Sequence, residues 1–335
     1  MELDKEVSGR LERGLYMEEK FDLSPKFFEI FYPFAHYKRQ TALANNQRFV
    51  YYTSAETAVN ILKHKEIWMR NTTCMNDLSE VNYGLDCLRT AYRSQDGSRF
   101  KYVLNDLFPN ICKDIEEMFN GWIPHMQSET YLTCVSEHYN EEDLLGRLSM
   151  WRAYGRMSGV ALVVKSEAIL YTSAALKAYS SPVAYIDSIG VINQLNTITE
   201  NIMANIELIK SMSRDDIKSY VFNVFKFAIL GIKHPGFKEE QEWRLVYSPL
   251  MEDSSIINHD VCVVNGIPQK IYKIPLEDKP ESDYYASIHN IIDRIIIGPV
   301  EFPWVVYKSF VELLNSAGVR DAETRVFVSQ IPLRR

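Results

Sequence analysis

The feature that most constrains this chain is a strand, helix, strand pattern compressed into residues 48–71. Phe49 to Thr53 is a run of aromatic and β-branched residues. Ser54 is suited to cap a helix, Glu56 falls in the first turn, and Ala58, Ile61 and Leu62 make one apolar face ending near Lys65. Ile67 to Arg70 then resumes an extended pattern. The loop that follows, Asn71 to Glu80, is rich in Asn, Asp, Thr and Ser. It carries Asn76, Asp77 and Glu80, whose side chains can bond either their own backbone or a ligand.

Helical and extended patterns continue to alternate along the rest of the chain. Met1 to Lys20 is charged and weakly periodic, and Ser24 to Ala44 carries aromatics at helical spacing that Pro33 must kink or interrupt. Helical stripes recur over 79–92 and 100–122, and again over 197–232 with a break at Ser211 to Asp215. Extended patterns are expected at 129–137, 160–164, 183–186, 261–264 and 271–275, and at a closing strand over 325–329. Residues 288–297 read as a helix end or strand, and 304–317 as an amphipathic helix. With no Pro/Gly/Ser-rich linker, the reading is an N-terminal helical arm over 1–45 and one α+β domain over 46–335. Helical insertions fall at about 80–125 and 195–232.

Composition removes several classes of function. A net charge of -7 and a pI near 5.6 argue against a general nucleic-acid binder, which needs a basic stripe to displace counterions. The longest apolar runs are strand-length, so neither export nor a membrane span is expected. The five cysteines are scattered without a CxxC pair and read as buried thiols of a reducing cytoplasm. The chain has no GxxxxGK[ST] or GxGxxG phosphate loop, no HExxH and no GxSxG elbow.

What remains is a site built from strand ends, carboxylates, aromatics and arginines. In Lys233 to Ser248, Glu240, Glu242 and Arg244 share one face if the chain is extended from Glu240 onward. A solvated charged rim is the competing reading. Leu144 to Tyr154 holds Trp151, Arg152 and Tyr154 ahead of Gly155 and Gly159. These groups suit a flat or anionic ligand, with core anchoring as the alternative for the aromatic pair.

Taken together, VYYTSAETAVNIL, MNDLSE, TCVSE, LSMWRAYG, EEQEWRLV and DRIIIGP, in that order between Phe49 and Pro299, resemble a bacterial family designated domain of unknown function 2971, DUF2971. More distantly the layout is similar to ADP-ribosyltransferase folds, which implies a split, mostly antiparallel sheet that clamps NAD. The resemblance carries over Glu242 and its partner acid Glu240, with Ser136 orienting the nicotinamide. Tyr51, followed by Tyr52, Thr53 and Ser54, stands where relatives carry a His. The same resemblance implies nicotinamide stacking on Trp151 or Tyr52, with Arg70, Arg152 or Arg244 meeting the pyrophosphate. The implied activity is modification of a macromolecule or nucleotide by a cytoplasmic toxin or anti-phage effector with NAD as co-substrate. Two other readings stay open: a sensor that binds a nucleotide-like small molecule without turnover, and a metal-dependent nuclease using Asp77, Glu80, Glu240 and Glu242.

Overall fold

Pro33 divides the first two helices, α1 (Pro25–Phe31) and α2 (Pro33–Ala44), and sits at the first helical position, where a missing N–H costs nothing. The computed structural model describes residues 25–74, 78–155, 158–171, 173–264 and 266–332. Asn76 and Asp77 therefore lie outside the described residues, as does the charged stretch up to residue 24.

The strand, helix, strand unit forms as expected. β1 (Arg48–Ser54) ends on Ser54, whose hydroxyl accepts the Thr57 N–H at 3.2 Å and caps α3 (Ala55–His64). Lys65 then turns left-handed into β2 (Glu66–Asn71). Ala58, Ile61 and Leu62 bury the inner face of α3 in the main core.

Three helices follow, α4 (Leu78–Arg93), α5 (Gln95–Leu107) and α6 (Ile111–Ser128), and lead to the strand on which the sheet is organised, β3 (Tyr131–His138). Beyond it come α7 (Leu148–Tyr154), β4 (Gly159–Val164), β5 (Ala178–Pro182) and β6 (Ala184–Tyr185). Two long helices, α8 (Ser188–Ala204) and α9 (Arg214–Gly231), then run to β7 (Ile232–Lys233) and β8 (Glu242–Tyr247). β9 (Asn258–Val264), β10 (Ile267–Pro275), β11 (Ile292–Ile297), α10 (Pro303–Ser316) and β12 (Val326–Val328) complete the order.

One edge of β3 pairs antiparallel with β8, from Tyr131 opposite Tyr247 to Ser136 opposite Glu242. The other edge is shared. β1 takes the C-terminal half, with Val50 opposite Ser136, and β2 takes the N-terminal half, with Arg70 opposite Leu132. The two strands therefore part beside Thr133 to Val135, and the sheet forks there. From β1 the sheet continues through β4 and β11 to β12, and from β2 through β10 to β9, while β5 edges β8. Its pairs are antiparallel except β11 with β12. The fold is α+β with a mostly antiparallel sheet, as the residues implied.

Strand alternation sorts side chains between two cores. Phe49, Met69, Leu162, Trp243, Leu245 and Ile295 face the core covered by α3 and α10. A second core is helical. The helices over 78–128 and 188–231, where insertions were expected at about 80–125 and 195–232, pack on each other and on α1 through Phe100, Leu104, Ile115, Ile198, Val221 and Phe225, and reach the sheet at Val246. No helix among the described residues is long and apolar enough to cross a membrane.

Two expectations need correction. β5 was not expected, because Ala178 to Pro182 lacks apolar alternation; it forms because the free edge of β8 supplies hydrogen-bond partners. The cysteines are free but not uniformly buried: Cys87 and Cys112 are buried, whereas Cys74, Cys134 and Cys262 are half-buried.

Truncation should separate the core from the cap. Phe310, 1% exposed, anchors α10, so Phe310→Ala is expected to cost about 3–5 kcal/mol. Ser54→Ala, which removes the α3 cap, should cost about 1 kcal/mol. Both are read as urea midpoints at unchanged m.

Candidate functional site

β8 does not start at Glu240. Pro235–Glu240 forms a 3-10 turn, Gln241 takes a left-handed conformation at φ 45°, and the strand begins at Glu242. The three side chains Glu240, Glu242 and Arg244 still converge, but through a common cation rather than by strand alternation alone. Lys233, on β7, places its Nζ 2.8 Å from Glu80 Oε1, 2.6 Å from Glu240 Oε2 and 3.1 Å from Glu242 Oε2. Arg244 adds an ion pair to Glu80 and another, Nε to Oε1 at 2.7 Å, to Glu242, and donates Nη1 to Leu230 O at 2.7 Å. The small parallel pair β6–β7 carries Lys233 beside Tyr185, whose hydroxyl accepts the Glu242 N–H at 2.8 Å.

This cluster has three carboxylates and two cations inside a largely dry site, so the acids cannot all behave alike. Burial alone would raise the Glu242 carboxyl. The charges of Arg244 and Lys233, with hydrogen bonds from Arg244 and Cys134, outweigh it and hold the group at about 2. Glu240 moves the other way: burial raises it, the Glu242 and Glu80 charges add to that, and Lys233 offsets only part. Burial would likewise lower Lys233, but its carboxylate partners push it above the ordinary lysine range. The Lys233 ammonium lies between Glu80, Glu240 and Glu242, so all three acids are matched by one cation.

The turn carrying Glu240 is held by a residue the sequence reading passed over. Arg147 donates to Glu239 O at 2.7 Å, Glu240 O at 3.3 Å, Gln241 Oε1 at 3.0 Å and Glu137 O at 3.0 Å, and pairs with Glu142 at 2.8 Å. A non-glycine left-handed residue costs on the order of 1 kcal/mol or more and persists only where its surroundings over-determine it. Arg147 and the Glu137 N–H to Gln241 O bond, 2.9 Å, supply that restraint. Arg147 and Cys134 could not be singled out from types or spacing, since each acts on residues distant in sequence, and for Lys233 it was the third acid, Glu80, that lay far away.

The other expected site residues divide. Ser136 is buried directly opposite Glu242, so the two share one face beside the fork. Tyr51 starts on the opposite face: it alternates with Val50 and Tyr52, and its neighbour Phe49 lies edge-on to Trp243 at 5.3 Å. The fork nonetheless brings its hydroxyl to Thr133, Cys134 and Arg70, where burial first, then the Cys134 thiol, pushes the phenol up. Arg70 is half-buried, with Nε on Gln269 at 3.2 Å and Nη2 on Cys74 O at 2.7 Å.

Tyr52 and Trp151 are not available as a stacking platform. Each is 6% exposed, their rings meet edge-on at 4.9 Å, the Tyr52 hydroxyl accepts Arg147 N–H at 2.8 Å, and Trp151 Nε1 donates to Leu145 O at 2.9 Å. A Cβ at Gly146 (φ +65) would fall 2.4 Å from Trp151, and one at Gly298 2.9 Å from it, so the indole is enclosed as a core anchor. Ser54 caps α3 and Thr53 pairs with Val160 in the ladder. Arg152 is exposed on α7; Tyr154 is 45% exposed, but its hydroxyl is desolvated and feels the Glu240 charge, which keeps it protonated.

With this geometry in place, a family model described as protein of unknown function, DUF2971, matches residues 150–245. That segment is similar to DUF2971. It contains Trp151, Lys233, Glu240, Glu242 and Arg244, while Tyr51, Arg70 and Ser136 lie ahead of it on β1 to β3. The match is shorter than the span from Phe49 to Pro299 over which the motifs were read. No curated protein and no solved structure matches the chain.

The two acids should titrate with opposite signs. A carboxyl depressed to about 2 from an ordinary 4.5 contributes stability above pH 4.5 that is lost as pH falls toward 2. A raised carboxyl does the reverse, because the folded state then holds its proton more readily. Glu242→Gln should therefore cost about 3 kcal/mol at pH 7, leaving two buried cations short of charge. It should also flatten the stability profile between pH 4.5 and 2. Glu240→Gln should stay within about 1 kcal/mol of the parent at pH 7, since the amide oxygen still accepts from Lys233. Urea unfolding across pH checks both.

Proposed function

We propose that the chain is an ADP-ribosyltransferase-like protein that takes NAD as co-substrate over the fork in its sheet. The observation that carries this reading is Ser136 opposite Glu242 on one face beside the point where β1 and β2 part, with Glu240 across Lys233. Loss of nicotinamide breaks the bond between the ribose carbon and the pyridine nitrogen, and the electron pair leaves with the nitrogen. The ribose becomes cation-like, and a carboxyl lowered to about 2, and so ionised at neutral pH, is suited to stabilise it. An acceptor lone pair then forms the new bond at the same carbon and gives up its proton. Glu240, with its raised carboxyl, is the matched base. Arg70 at the fork suits the pyrophosphate, and the ring open to a flat ligand is that of Tyr154, 45% exposed, rather than Tyr52 or Trp151.

One observation favours a second reading, a nucleotide-binding sensor without turnover. Lys233 and Arg244 already occupy both oxygens of Glu242, which lessens what its charge does for a ribose cation. The transferase reading expects NAD binding by calorimetry, slow release of free nicotinamide, and a loss of release of about 10²–10³-fold in Glu242→Gln with little change in NAD affinity. NAD binding without nicotinamide release, with or without lysate as acceptor source, selects the sensor. No NAD binding overturns the transferase reading.

A further inference from the structure

A cavity of about 670 Å³ opens away from the forked strands, between α1, α2, α9 and the outer edge of β5. None of the site residues above lines it. Its walls are aromatic, with Phe28, Tyr32, Trp122 and Phe227 among them, and three cations, Arg39, Lys177 and Lys226, line it.

Lys226 sits on α9 and is 5% exposed. Its Nζ reaches Met251 Sδ at 3.6 Å and lies 5.1 Å from the centre of the Phe227 ring. Among the described residues no carboxylate comes within ion-pair distance of it. A buried ammonium is costly unless paired, and a thioether and a ring face return little of that cost. Arg39 is half-buried: its guanidinium donates to the neutral oxygens of Ser180, at 3.2 Å, and Leu170, with no carboxylate partner among the described residues. The acids of the cavity are placed differently. Asp216 and Asp253 are exposed at the rim, and Glu252 is engaged by the Tyr179 hydroxyl. The interior is therefore cationic and ring-lined, and the mouth is acidic.

We infer that this cavity binds an aromatic carboxylate, with the carboxylate between Lys226 and Arg39 and the ring among the aromatic walls. The volume suits one small organic ligand. The rim acids disfavour a doubly charged phosphate entering past them, so a single negative charge is the better match. Burial pulls the Lys226 ammonium down to about 8, against the charge of Glu252, and a bound anion would raise it again. This site is independent of the proposed NAD site, since the two share no residue.

The test uses the full-length chain and 2-naphthoate, with the neutral isostere 2-naphthalenemethanol and adenosine monophosphate as controls, by calorimetry. The expected result is saturable one-to-one binding of 2-naphthoate, at least tenfold weaker binding of the alcohol, and no competition from the nucleotide. Lys226→Met should weaken 2-naphthoate at least tenfold and Lys226→Arg should recover part of it. The melting temperature of Lys226→Met should be no lower than the parent's, because an unpaired buried charge has been removed. Glu242→Gln should bind 2-naphthoate normally, whatever it does to NAD. Equal binding of acid and alcohol, preference for the nucleotide, absence of saturable binding, or a folded Lys226→Met that binds as the parent does would overturn the assignment. The comparison of acid and alcohol on the parent protein stands even if Lys226→Met does not fold.

Discussion

The structure depends on one ammonium group. Lys233 Nζ joins Glu80 from the start of α4, Glu240 from the turn before β8 and Glu242 from β8 itself, and Arg244 ties two of the three again. Those contacts hold the helical layer, the small β6–β7 pair and the central sheet in one arrangement. A cluster this buried contributes less to net stability than its contact count suggests, because each charge has been taken out of water. What it does supply is position: the two acids are held at fixed geometry with opposite shifts, so that one stays ionised and the other holds a proton more readily.

Around that point the sheet opens. β3 cannot pair with β1 and β2 over the same residues, so the two strands divide its edge, and the gap beside Thr133 to Val135 admits the Tyr51 hydroxyl, the Cys134 thiol and Arg70. The opposite choice is made under α7, where Trp151 is closed in by glycines and by Tyr52. The same short stretch, Trp151 to Tyr154, thus anchors the core at one end and turns a polar tip toward the carboxylates at the other. The ring-lined cavity by α9 follows a different logic. It holds Lys226 buried and Arg39 half-buried with no carboxylate at ion-pair distance among the described residues, whereas the Lys233 cluster matches three acids closely.

Much of this was readable before any fold was known. The strand, helix, strand unit, its Ser54 cap, the break near Ser213 and the late helix from about 304 follow from local rules, since capping, periodicity and proline act over a few residues. The motif order pointed to DUF2971, and the segment over 150–245 bears that out. β5 was not readable, because an edge strand without alternating apolar residues is specified by the strand it joins. Which of Tyr51 and Tyr52 shares the face of Ser136 was not readable for a related reason: a one-residue step exchanges the two sides of a sheet, and nothing local says which side carries the site.

By itself, then, the sequence determined the α+β character, most element positions and the concentration of charge around Glu240 to Arg244, because these depend on short-range pattern and residue type. Tertiary structure alone decided that Lys233 would be the common partner, that Arg147 would hold the Gln241 turn, that Trp151 would be enclosed, and that Lys226 and Arg39 would meet in one cavity. Each of those outcomes joins residues far apart along the chain. Their energies come from desolvation and pairing that exist only once the elements have packed.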